Sequence, residues 1–269
     1  MNAQAQVAIM LDHVSKSFGE KHVQRDISLE IRHGEAVCIL GRSGTGKSVT
    51  LKLIISLLRP DAGHIRIDGD DITQLEGEHL SAMRRKMGFL FQNAALFDSV
   101  NLHDNLALPL ERLTNKSKNE IEEIIDRVLG EVGLSADTRT MPVELSGGMR
   151  KRAGLARAMV LNPEILLVDE PSSGLDAITA SEIDDLLLRQ KVQQGTTMVI
   201  VTHDLRGARR LGDRFAVLDR GSFIAFGALT AVLIAWTALD PWAPSPGTPN
   251  PSAAADPARM MEAIALSCF

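Results

Sequence analysis

Two hydrophobic rhythms alternate along the chain. Near its start, VAIMLDHV at 7–14, ISLEIRHGE at 27–35 and AVCIL at 36–40 predict three short strands separated by turns. AVCIL is apolar throughout, as a central strand covered on both faces should be. A glycine-rich turn follows it, and VTLKLIISLL at 49–58 then predicts a helix. HIRIDGDDI at 64–72 alternates apolar and polar residues around a turn at Asp68–Gly69, the pattern of a half-exposed antiparallel strand. From about 94 to 160 the period changes: NKSKNEIEEIIDRVLGEVGL has apolar residues at helical spacing, which predicts a helical subdomain inserted into an α/β core. Strand–helix alternation then returns with EILLVDE, SEIDDLLLRQ and TTMVIVTHD, and FAVLDRGSFIAFG closes the pattern as a hairpin around Arg220–Gly221.

Two segments near the C-terminus stand apart. ALTAVLIAWTAL at 228–239 falls short of the roughly 20 residues that a bilayer crossing needs and predicts a packed terminal helix. Beyond Asp240, APSPGTPNPSAAADPA is too rich in Pro, Ala and Ser to offset its ordering entropy and predicts a poorly ordered tail. The expected division is therefore 1–226 as the main domain and 227–269 as helix and tail.

Composition narrows the function classes. With 269 residues, 45% of them hydrophobic, the chain can bury a sizeable core. Its 29 basic and 34 acidic residues give a net charge of -5, so no overall basic field holds it on nucleic acid or anionic lipid. The two cysteines make no staple pattern, and Cys38, inside AVCIL, is expected to be a small core residue in a reducing compartment. MNAQAQVAIM has no basic region followed by a long apolar stretch, so a chain without a signal peptide is expected, one that stays inside the cell.

The chemistry concentrates at three strand ends. GRSGTGKS at 41–48 fits the G-x-x-x-x-G-K-[ST] phosphate loop in full and lies between the AVCIL strand and a helix. Gly41, Gly44 and Gly46 let the backbone wrap a phosphate chain with its N–H groups inward. Lys47 is placed to reach the β- and γ-phosphates and Ser48 to hold Mg²⁺. ILLVDE ends a buried strand with Asp169, a candidate Mg²⁺ ligand, and Glu170, which can orient the attacking water. His203 follows the strand MVIVT in the same manner and can donate to a γ-phosphate.

Over about 7–226 these residues resemble the ATP-binding-cassette (ABC) ATPases, with the motifs in family order. The resemblance implies a P-loop NTPase core with an antiparallel β subdomain and the inserted helices. It makes Gly41, Arg42, Ser43, Gly44, Thr45, Gly46, Lys47, Ser48 and Val49 the ATP loop. Phe18 takes the place of the aromatic ring that stacks on adenine, usually a tyrosine, and this chain contains none. Glu170, His203 and Gln92 become catalytic, with Ser48, Gln92 and Asp169 around Mg²⁺. LSGGM at 145–149 (Leu145, Ser146, Gly147, Gly148 and Met149) becomes the signature loop for ATP held by a second copy, and SGLD places Asp176 across that dimer interface.

Methionine where LSGGQ is usual, together with FQNAALFDSVNLHDNLALPL at 91–110, is similar to the ATPases of MCE-type lipid transporters, including the maintenance-of-lipid-asymmetry (Mla) systems. That resemblance implies a homodimer on the cytoplasmic face of a bacterial inner membrane. Its implied partners are permease subunits, an MCE-domain lipid-binding protein and a small STAS-domain protein. Asp240–Pro241–Trp242 fits the short tail of the subfamily, and the Pro/Ala-rich remainder does not. Ala94, Ala95, Leu96, Phe97, Val100 and Leu102 either line a groove for a permease helix or form an ordinary core stripe. A DNA-maintenance ATPase would carry a long coiled coil between the phosphate loop and the signature, and no heptads run there. An importer or exporter cassette for amino acids, metals or drugs is the nearer rival.

Overall fold

The computed structural model describes residues 6–230 and Val232. Two sheets form its frame. Strands β1 (Val7–Phe18), β2 (Lys21–Arg32), β4 (Ala62–Ile67) and β5 (Asp70–Asp71) make an antiparallel sheet of order β2-β1-β4-β5. The second sheet contains β3 (Ala36–Leu40), β6 (Met87–Leu90), β7 (Ile165–Asp169), β8 (Thr197–Thr202), β9 (Arg214–Asp219) and β10 (Ser222–Gly227), in the order β10-β9-β3-β8-β7-β6. Its pairings are parallel except the β9–β10 hairpin, which lies where the sequence predicts it.

The uninterrupted apolar runs of β3, β7 and β8 have a direct structural cause. Cys38, Leu40, Leu166, Val168 and Ile200 face one core, shared with the helices α3 (Leu102–Leu113), α4 (Lys118–Glu131), α5 (Gly147–Met159), α6 (Ala177–Gln194) and α7 (Leu205–Leu211). Val37, Ile39, Ile165, Leu167, Val199 and Val201 face a second core, built with the antiparallel sheet, α1 (Lys47–Ile54) and α2 (Gly77–Arg85). Successive side chains of a strand point to opposite faces, so covering both faces requires every position to be apolar. Cys38 is a core residue as expected, and burial pushes its thiol up to about 12.

Several elements differ from their sequence expectation. β1 and β2 are each 12 residues long rather than short. The apolar rhythm breaks near His13 and Asp26, which both have positive φ and meet across the ladder at 2.7 Å, where the β1–β2 register shifts. α1 ends at Ile54 because Ser56 turns left-handed, and the Arg84 guanidinium donates to the carbonyls of Ile55 and Ser56. α2, which supplies that arginine, buries only Met83 and so carries almost no apolar signal. In the inserted region, α4 begins with a Ser117–Glu120 capping box and α3 with an Asn101 cap. No helix of the described residues is long and apolar enough to cross a membrane. The expected terminal helix is seen in its first residues, with Leu229, Thr230 and Val232 helical and the Val232 N–H donating to the Ala228 carbonyl; the rest of it, the DPW motif and the tail lie outside the described residues.

Candidate functional site

The phosphate loop joins β3 to α1 and ends at Gly46, the residue that precedes the helix. Its φ of 102° lies in the left-handed region, and an added Cβ would come within 2.8 Å of Val23 Cγ1, so only glycine fits. Gln24, buried in β2, donates to the Gly46 carbonyl (2.8 Å) and to Thr50 Oγ1 (3.0 Å), fixing the loop from below. The sequence reading missed Gln24, whose only signal is a polar residue at an inward position of a strand. Lys47 Nζ spans the loop, donating to the carbonyls of Gly41 (2.9 Å) and Arg42 (3.1 Å), and lies 3.5 Å from Glu170 Oε1. Thr45 Oγ1 donates to the same Arg42 carbonyl and holds the outer bend.

At the end of β7, Asp169 is 4% exposed, and Ser48 Oγ donates to its Oδ1 at 2.8 Å. Burial raises the Asp169 pKa and the Ser48 hydrogen bond opposes that rise. A buried carboxylate beside a hydroxyl at the mouth of an anion-binding loop is a hard-oxygen donor set that suits Mg²⁺. Glu170 is 8% exposed with φ 48°. Its Oε2 accepts from the His203 backbone N–H (3.3 Å) and lies 2.8 Å from His203 Nδ1. Behind it, Lys151 of α5 donates from Nζ to the Glu170 carbonyl at 2.8 Å. Lys151 was also missed, and burial holds its ammonium below the usual lysine range.

These groups surround a cleft of about 810 Å³. Ser43, Gly44, Gly46, Lys47, Ser48 and Val49 form one wall; Gln92, Glu170 and His203 form the other. Phe18 stands at the mouth, 46% exposed, with the Lys16 ammonium 5.7 Å from its ring centroid. Gly41, Arg42, Thr45 and Asp169 shape the cleft without lining it.

The signature residues and Asp176 do not reach this cleft. Leu145 is buried, Met149 packs on the helical core, and Ser146 and Gly147 are exposed at the start of α5. Ser146 Oγ caps α5 by accepting from the Met149 N–H at 3.2 Å. Asp176 caps α6 by accepting from the Ile178 and Thr179 N–H groups, both at 3.0 Å, and these bonds hold its carboxyl below the usual range.

The six residues expected after Gln92 divide between both expectations. Phe97, 51% exposed, and Val100 line a groove of about 300 Å³ with His103, Asp104, Ala107 and Glu111. Ala94 and Leu102 are core residues, Leu96 packs against the core, and Ala95 is exposed outside the groove. The cause is a tight turn: Ala94 and Ala95 both have positive φ, and Arg157 donates to their carbonyls. Buried Asn105 pins the following segment through the Phe97 backbone N–H and carbonyl.

A parallel sheet with a phosphate loop at β3 and paired acids at β7 defines a P-loop nucleotide-binding protein. The chain belongs to the ABC transporter family, whose model matches residues 24–173. It is 46% identical over 227 residues to the probable ribonucleotide transport ATP-binding protein mkl of Mycobacterium leprae, covering 84% of this chain and 65% of that protein. It is 41% identical over 222 residues to the methionine import ATP-binding protein MetN of Xylella fastidiosa, covering 82% of this chain and 66% of that one. The chain thus spans just under two thirds of the length of these curated relatives. Among solved structures it resembles the ATP-binding cassette MJ0796, a dimer in a post-hydrolysis state bound to ADP and Pi. The TM-score is 0.77 at 34% identity, covering 82% of this chain and 98% of that one. The fold is that of an ABC ATPase cassette.

Proposed function

We propose that this chain is the ATP-hydrolysing subunit of an ABC transporter, acting as a head-to-tail homodimer beneath membrane permease subunits. The observation that carries this reading is the convergence of Lys47, Ser48, Asp169, Glu170 and His203 on one cleft from three strand ends. Bound ATP with Mg²⁺ supplies the phosphoanhydride and the cation that spreads its charge. The loop amides and Lys47 hold the phosphate oxygens, Ser48, Asp169 and Gln92 hold the cation, and Phe18 offers its face to the base. Glu170 takes the proton of the attacking water at Oε1, while its Oε2 is held by His203. With Nδ1–H donating to Glu170, His203 can donate to a phosphate oxygen through Nε2 when the ring carries a proton on both nitrogens. Ser146, Gly147 and Gly148 serve the partner copy's phosphates from the α5 N-terminus, and Asp176 lies across the same interface.

In this reading 1–226 is the nucleotide-binding unit, and closure moves the helical part at 94–160 against the permease through the groove at Phe97 and Val100. We further propose that the cargo is a phospholipid or another hydrophobic molecule, handled with MCE-domain and STAS-domain partners at the cytoplasmic face of an inner membrane. The support is the LSGGM signature and the 91–110 stretch. The likeness to a methionine importer favours a second reading, an ATPase for a small solute. Affinity purification of the tagged full chain from detergent-solubilised membranes, with mass spectrometry of co-purifying proteins and lipids, separates them. A permease with an MCE-domain protein and phospholipid supports the lipid reading; a permease with a solute-binding protein overturns it and leaves the ATPase.

A further inference from the structure

We infer that Lys151 is a positioning residue that joins the signature helix of each subunit to that subunit's own Glu170, so that the two nucleotide sites of a dimer turn over together. The inference rests on the ATPase reading above. In that dimer, Ser146 and Gly147 face nucleotide held by the partner copy, whereas Glu170 faces nucleotide held by its own. α5 is where the two sites meet within one chain.

Lys151 lies 5% exposed in α5, and its ammonium donates to the Glu170 carbonyl at 2.8 Å. That carbonyl belongs to a left-handed, non-glycine residue whose orientation needs holding. Asp169 and Glu170 supply the negative charge that offsets the buried ammonium. Three residues earlier on the same helix face, Gly148 approaches α6 so closely that an added Cβ would fall 2.5 Å from Thr179 Cγ2. Thr179 Oγ1 in turn donates to Asp176 Oδ2 at 2.7 Å. The first turns of α5 therefore grip both ends of the segment from Glu170 to Thr179. A shift of the LSGGM end has no slack in which to be lost before it reaches Glu170. Methionine would fill the same slot without the desolvation cost of an ammonium, and without a donor for the carbonyl.

The test is steady-state ATP hydrolysis by the purified full chain, comparing wild type with Lys151→Met and Lys151→Arg. Affinity for a fluorescent ATP analogue and thermal melting are measured in parallel. Lys151→Met is expected to lower kcat about 10- to 100-fold and bring the Hill coefficient for ATP toward one, with KM and analogue affinity little changed. Lys151→Arg, which keeps the donor and charge, recovers most of both. If the Met variant melts below the assay temperature, Lys151→Gln replaces it, with the same expectation because its shorter stem falls short of the carbonyl. A wild-type Hill coefficient of one, or a Hill coefficient unchanged by removing the ammonium, overturns the inference while leaving the ATPase in place. Absence of ATP turnover in the wild type overturns the ATPase reading and the inference with it.

Discussion

Ser48 Oγ and Asp169 Oδ1 lie 2.8 Å apart although 121 residues separate them in the chain. The hydroxyl comes from the first turn of α1 and the carboxylate from the last residue of β7, so the parallel sheet itself sets their separation. Ser48→Ala should raise the Mg²⁺ concentration for half-maximal ATP hydrolysis by about ten-fold or more, the scale for a lost metal-site contact. Metal titration at saturating ATP checks this, and an unchanged half-saturation point removes Ser48 from the metal site.

Glu170→Gln keeps the shape of the side chain and removes the proposed base. Turnover should fall by about 10²- to 10⁴-fold, as for a lost general base, while ATP binding is retained. Phosphate release together with size-exclusion chromatography in ATP tests both halves. Retained hydrolysis would mean that another group takes the proton.

In the proposed mechanism Lys47 acts earlier, at binding. Lys47→Ala removes charge-assisted bonds worth about 1.5–3 kcal/mol each, so nucleotide affinity should weaken by about 10- to 100-fold. Calorimetric titration with ATP and Mg²⁺ provides the measurement; wild-type affinity in the variant would place the phosphates away from Nζ.

Asp184 makes stability depend on pH. It lies buried beneath α7, its Oδ1 without a hydrogen-bond partner among the described residues. Burial first, then the charges of Asp204 and Asp185, raise its pKa from 3.8 to about 6, and Arg210 opposes the rise. The folded chain therefore holds this proton when the unfolded chain has lost it, and stability falls as pH rises from about 4 to about 6. Asp184→Asn abolishes that loss. Its melting temperature relative to wild type should climb through this window and level off above it; a difference independent of pH would show that Asp184 titrates normally.

The phosphate loop and the acids at the end of β7 were legible because each is a local pattern whose meaning depends on one strand and one turn. Gln24 and Lys151 were not legible, since each acts on a backbone carbonyl brought close only by the fold. The same limit explains β1 and β2. A bulge at His13 and Asp26 interrupts the apolar alternation without interrupting the strand, and periodicity alone registers the interruption as an end. After Gln92 the residue types were informative and their directions were not, because two consecutive left-handed alanines turn the stripe partly inward.

The two cores on either side of the parallel sheet divide the molecule's capacity for change. α1, which begins at the phosphate loop, packs with the core on the antiparallel side, whereas the helices around the groove pack with the other. Among the described residues, the strands of the six-stranded sheet contribute side chains to both. Substitutions that remodel the groove can thus accumulate in one compartment while the compartment that holds the phosphate loop keeps its packing. One phosphate-loop compartment of this design can thus stand behind many differently shaped grooves, with the sheet as the fixed mounting between the two.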